Sequence, residues 1–271
     1  MWILSVAVLF VVATMATHQP IPTPLLDVLN RYLEDDGSST KQIIALGFLA
    51  GALASMTPVR LILRYFSTVV HELGHAFMAG ALFARPKSIL IHPSSSGLAI
   101  YQLAPNWGRF RATLVSAAGY PAPSIAALGA VQAIQSGHTI AWTLFSVGVL
   151  SITIVLLIRN LWGILWTSCV VAGSYFGLQH LPIQWIGAGA VGIAGFLAVN
   201  SIQFAWTQLT LARKMRGSGI DAESIEMYTR IPSAVVAFGH LMTCLVISGY
   251  AAKFAVEPYW TEIGDWLNKL Y

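Results

Sequence analysis

Charge is what this sequence has least of. Lys, Arg, Asp and Glu make up 10% of its 271 residues, hydrophobic residues make up 56%, and mean hydropathy is +0.69. A soluble domain of this size needs far more charge to cover its surface, so a water-soluble globular fold is excluded and the bilayer takes over part of the burial. Cysteine is equally scarce. Cys169 and Cys244 are the only two, and both fall inside apolar runs, where a small side chain packs easily and a disulfide framework does not form. There is no internal repeat and no stretch that reads as a separate soluble domain. The net charge of +4 and pI near 9.2 do not indicate nucleic acid. The basic residues stand singly or in small groups beside apolar segments, as membrane-interface anchors do.

What is present is a series of apolar runs at 2–17, 42–59, 61–84, 111–135, 139–158, 160–180, 183–210 and 231–252. Most approach the roughly 20 residues that a spanning helix needs. The expectation is an all-α polytopic membrane protein with seven or eight membrane helices, folded as one membrane-embedded domain over 1–271. No Lys or Arg precedes the first run, which argues for an N-terminal anchor over a cleaved signal. Residues 18–41 carry Pro20, Pro22 and Pro24, then Glu34, Asp35 and Asp36, and read as an extramembrane loop. Residues 42–252 form the membrane core and 253–271 a C-terminal tail. Pro58, Arg60 and Arg64 interrupt the second and third runs, so the 61–84 segment is expected to enter the bilayer partway. Arg213, Lys214, Arg216 and Arg230, with Arg109, Arg111 and Arg159 at other segment ends, place those ends in the cytoplasm by the positive-inside rule.

Between Arg85 and Arg109 the pattern changes. Ser88-Ile-Leu-Ile-His92, a turn at Pro93-Ser-Ser-Ser-Gly97 and Leu98-Ala-Ile-Tyr-Gln-Leu103 predict a short membrane-associated β-hairpin. Hydrocarbon does not tolerate an open sheet edge, so the hairpin sits at the interface or is shielded by protein.

The chemistry concentrates in His71-Glu72-Leu73-Gly74-His75, set among Val69, Val70, Ala76, Phe77 and Met78. Residues four apart on a helix share a face, so both imidazoles can bind one zinc ion while Glu72 is placed to deprotonate a zinc-bound water. Chance supplies a His-Glu-x-x-His match in roughly one chain in two hundred of this composition. Three ionisable groups within five residues of an apolar segment are costly without a metal or an aqueous pocket, whereas a purely structural role would pair Glu72 with a cation such as Arg64. A catalytic zinc takes a third protein ligand. Among the few carboxylates outside the acidic loop and the tail, Asp221 in Gly217-Ser-Gly-Ile-Asp-Ala-Glu223 is the first choice. The same residues also read as a helix start with Asp221 as its cap. His92, His138, His180 and His240 compete for the third position, and His240 stands out because it lies inside the last apolar run.

At these residues the sequence resembles the site-2 protease family of intramembrane zinc metalloproteases, in particular the compact bacterial members without a PDZ domain. His71-Glu-Leu-Gly-His75 matches the family's central motif, the strand-like 88–103 stretch follows it, and Ala117-Ala-Gly-Tyr-Pro121 is similar to the family's small-residue segment. The family usually has an Asn-x-x-Pro stretch leading to Leu-Asp-Gly, and no Leu-Asp-Gly occurs here. The resemblance implies that Asn160, after Arg159, stands where the family's substrate-binding asparagine does, and that Asp221-Ala222 replaces the Asp-Gly pair that completes the zinc site. It also implies a bacterial cytoplasmic membrane, an active site toward the cytoplasm, and membrane-spanning protein substrates, with the lipid bilayer as partner and no nucleic acid. The expected activity is a zinc metalloendopeptidase in which Glu72 activates the zinc-bound water. A metal-binding scaffold or regulator without catalysis, and a metal or small-solute transporter, are the rival readings.

Overall fold

The computed structural model describes residues 41–102, 108–214 and 217–270, so the expected N-terminal anchor at 2–17 and the acidic loop lie outside the described residues. Helix α1 (Lys41–Ala54) ends just before Pro58, which has no N–H to continue a helix. Helix α2 (Arg60–Ala81) leads into strands β1 (Arg85–Ile91) and β2 (Gly97–Gln102), an antiparallel hairpin at the expected place. Then follow α3 (Gly108–Ala118), α4 (Pro121–Gln135), α5 (Thr139–Leu156), α6 (Leu161–His180), α7 (Ile183–Lys214), α8 (Asp221–Thr229) and α9 (Ser233–Leu270).

Among the described residues four helices are long and apolar enough to cross a membrane, namely α5, α6, α7 and the 233–257 part of α9. A fifth span results if α3 and α4 are counted together, although they meet at a 56° bend. The expected number of seven or eight counted apolar runs by length alone. The 42–59 run yields only the 14-residue α1, and α2 carries Arg60, Arg64 and the His-Glu-x-x-His residues along its length. The bend in the 111–135 run falls at Gly119-Tyr120, where Pro121 starts a new helix at its first position.

The centre of the fold is α7, packed between α1, α4 and α9. Ile44, Phe48, Val131, Ile134, Val191, Phe196, Leu197 and Ala251 form the main buried cluster there. Glycines let α1 and α7 come together: a Cβ on Gly51 would overlap the Gly192 carbonyl, and one on Gly195 the Phe48 carbonyl. Ser124, Ser201 and Ser248 meet where α4, α7 and α9 touch, with Ser124 and Ser201 hydroxyls 2.6 Å apart. Such small polar residues tie helices together where water is absent. Both cysteines are free thiols.

The hairpin is held from two sides. From α2, Arg64 donates to the Ser94 carbonyl at 2.6 Å, the Tyr65 hydroxyl to Pro93 and the Thr68 hydroxyl to Ser95 at 2.8 Å, which fixes the turn. On the far edge of β1, the Ile89 N–H donates to Leu157 and the Asn160 side chain pairs with both backbone groups of Ile91, at 3.0 and 2.6 Å. Ile89 and Ile91 therefore turn their N–H and C=O away from β2. In an antiparallel ladder their register partners Ala99 and Gly97 must turn theirs toward the outer edge of β2.

Candidate metal centre

One turn of α2 carries His71 and His75 on one face, and α8 brings Asp221 to meet them across a gap of about 150 positions in the sequence. The Asp221 Oδ2 lies 3.2 Å from His71 Nε2 and 3.2 Å from His75 Nε2, and the two nitrogens are 3.1 Å apart. These three residues form a group able to hold a metal ion. Glu72, 5% exposed, lies against the hairpin, where the Ala99 N–H donates to its carboxylate and Gly97 leaves no room for a Cβ beside it.

The geometry suits zinc. Bonds of about 2.0 Å at tetrahedral angles put neighbouring ligand atoms about 3.3 Å apart, close to the triangle seen here. The protons agree as well. His75 Nδ1–H donates to the Val115 carbonyl at 2.7 Å, which turns its Nε2 toward His71 Nε2 and Asp221 Oδ2. Three such atoms within reach of one another can share one cation. Burial by itself would raise the Asp221 carboxyl, but the two flanking imidazoles outweigh it and hold the group well below the usual carboxylate range.

The surroundings are built to let this happen. Gly74 allows α2 to approach Ala118 and Ala122, where an added Cβ would come within 2.6 Å of the Ala122 Cβ. Gly119 lies against both imidazoles, with 2.7 Å between its notional Cβ and His71 Cε1. Tyr120 sets the edge of its ring against His71 and stacks on His240, with centroids 4.8 and 5.2 Å away. These neighbours were visible in the sequence only as the small-residue segment 117–121. A cavity of about 340 Å³ opens onto His71, His75, Asp221 and Glu72, walled by β2, Tyr120 and the Gly219-Ile220 segment. A larger cavity of about 430 Å³ lies on the opposite face of α2, and its described lining holds no titratable side chain.

The other expected residues are placed as follows. Asp221 is the first residue of α8, with Ile220 at the cap position. Asn160 spends its amide on Ile91, away from the cavity. Arg64 grips the hairpin turn and not Glu72. His240 is buried against Tyr120 with its Nδ1 2.9 Å from Gln208 Oε1, and His92, His138, His180 and His240 all stand outside the three-ligand group.

A family model for the Peptidase M50B-like proteins matches residues 43–253. The chain belongs to that family, the site-2 proteases. No curated protein and no solved structure matches it. Membership together with the apolar helices makes this M50B-like chain an integral membrane protein of a peptidase family.

Proposed function

We propose that this protein is a zinc metalloendopeptidase that cuts membrane-spanning protein substrates within or beside the bilayer. The observation that carries the reading is the triangle of His71 Nε2, His75 Nε2 and Asp221 Oδ2, with edges of 3.1 to 3.2 Å beside a buried glutamate. His71, His75 and Asp221 hold the metal. Zinc bound there acts as a Lewis acid toward oxygen and brings the pKa of water toward neutrality. Glu72 takes a proton from the attacking water as its oxygen bonds to the scissile carbonyl carbon. When the C–N bond breaks, Glu72 returns that proton to the departing amine.

A helical substrate hides its carbonyls in its own hydrogen bonds and must unwind to be cut. The outer edge of β2 offers an extended partner. The Gly97 N–H and C=O and the Ala99 C=O turn that way, the Ala99 N–H being held by Glu72, and both residues line the cavity. Asn160 serves this step indirectly: it closes the far edge of β1, so the hairpin keeps one edge for substrate. The basic residues indicate the side of the membrane. Arg213 and Lys214 end α7, Arg230 follows α8, and Arg109 and Arg111 lie on α3, which packs against α8. The positive-inside rule puts that end, and Asp221 with it, at the cytoplasmic face.

The test is metal content and cleavage of a membrane-spanning reporter in liposomes, comparing wild type with His71→Ala, Asp221→Ala and Glu72→Gln. One zinc per chain, lost with His71→Ala, bound far more weakly but still measurably by Asp221→Ala, and kept with Glu72→Gln, together with turnover abolished in all three, is expected. Folded wild-type protein that takes up no zinc refutes the reading.

A further inference from the structure

Asp221 has to place one oxygen to within a few tenths of an ångström, yet the chain around it offers little stiffness. Helix α8 is nine residues long, too short to be stable on its own. It follows Gly217-Ser-Gly219, whose glycines sit at φ of +81° and +70°, a conformation that costs other residues dearly and leaves glycine free to wander. The residue at the helix cap is Ile220, which has no side-chain acceptor to offer.

Glu223 supplies what is missing. Its Oε1 accepts from the Gly217 N–H at 2.9 Å, the Ser218 N–H at 3.3 Å and the Ser218 hydroxyl at 3.2 Å, and its Oε2 accepts from the Gly219 N–H at 2.9 Å. A glutamate at the third helical position often reaches back to the cap residue. Here it reaches past the cap and gathers three consecutive N–H groups of the turn. Both carboxylate oxygens are thereby used, and neither is part of the three-ligand group. At the other end of α8, Glu226 Oε2 accepts from the Ser233 N–H at 2.9 Å, so the helix is tied to the start of α9 as well.

We infer that Glu223 is a positioning residue for the metal centre: by locking the Gly217–Gly219 turn it sets where Asp221 Oδ2 meets the two imidazoles. The inference rests on the metalloprotease reading and goes further, because it concerns a residue that touches neither metal nor substrate. Partners that orient a ligand are typically worth about 10–100-fold in metal affinity.

The experiment is a zinc dissociation constant by chelator competition on the full chain in detergent. Glu223→Ala should bind zinc about 10–100-fold more weakly than wild type. Glu223→Gln should recover part of the loss, because its amide oxygen still accepts from Gly217 and Ser218 while its NH2 cannot accept from Gly219. In an Asp221→Ala background the Glu223→Ala change should have no further effect, since the ligand it orients is gone. Wild-type affinity in Glu223→Ala, or an equal loss with and without Asp221, overturns the inference and leaves the metalloprotease reading standing. A wild type that binds no zinc overturns both. If Glu223→Ala gives no folded protein, Glu223→Gln with and without Asp221→Ala makes the same comparison.

Discussion

Replacing Gly119 by alanine adds a single methyl group at the most crowded point of the site. That carbon would lie 2.6 Å from His75 Cε1 and 2.7 Å from His71 Cε1, whereas carbon atoms in contact ordinarily keep at least about 3.5 Å. The two rings would have to retreat by about 1 Å between them and the backbone. His75 cannot retreat freely, because its Nδ1–H is held by Val115 at 2.7 Å. Zinc sites tolerate deviations of only about 0.2 Å in their bond lengths. Since both imidazoles are displaced, the loss should exceed the 10–100-fold typical of losing an orienting partner, so more than about 100-fold in affinity or about 2.8 kcal/mol. Chelator competition on detergent-purified protein measures it, with far-ultraviolet circular dichroism to show that the helices remain. Gly148→Ala is the control, as an added methyl there meets nothing within 4 Å. A Gly119→Ala protein that keeps one zinc at wild-type affinity would refute the reasoning, because the three ligands could not then be arranged as described.

Ala99→Pro removes the N–H that bonds Glu72 and blocks the outer edge of β2, so reporter cleavage should fall at least tenfold while zinc content stays at one per chain; unchanged cleavage would sink the proposed role of that edge. Asn160→Ala deletes both hydrogen bonds to Ile91 and should cost about 1–3 kcal/mol, read as a lower melting temperature with zinc affinity retained. Gly51→Val cannot be fitted against the Gly192 carbonyl, so α1 must separate from α7; a loss of about 1–3 kcal/mol or a failure to accumulate folded protein is expected, measured by thermal scanning in detergent.

The parts of the fold that sequence made legible are those governed by local pattern. The His-Glu-x-x-His spacing fixes two ligands and a carboxylate on one helix, and alternation in 88–103 announces the hairpin, because both depend on residues a few positions apart. The third member of the His/His/Asp group was legible for another reason: between Asp36 and Asp221 the sequence has a single acidic residue, Glu72, so few carboxylates could compete. The span count was less legible. Apolar length cannot show that α1 is cut short at Pro58, or that the 111–135 run bends at Gly119-Tyr120. The role of Asn160 was hidden too, since nothing in Arg159-Asn160 reveals that its amide will act as a surrogate strand for Ile91. Likewise Gly97 and Gly119 matter through contacts with residues 25 and more positions away, which no local pattern encodes.

The departure from Leu-Asp-Gly also has a physical account in the fold. Asp221 opens a helix, so the residue after it takes ordinary helical dihedrals and has no need of glycine's freedom. Ala222 is 0% exposed and packs with Ala205 and Leu209 of α7 and with Ala237 and Leu241 of α9, where a methyl group fills the space that glycine would leave empty. Its burial presses the first turn of α8 onto the two longest helices, while Glu223 ties the preceding turn on the solvent side. Asp221 is carried by this nine-residue helix and not by either of the long apolar helices that flank it, α7 and α9. Asp221 is thus delivered to the two imidazoles by the connection between α7 and α9, where Ala222 packs beneath the first turn of α8 and Glu223 holds the turn before it.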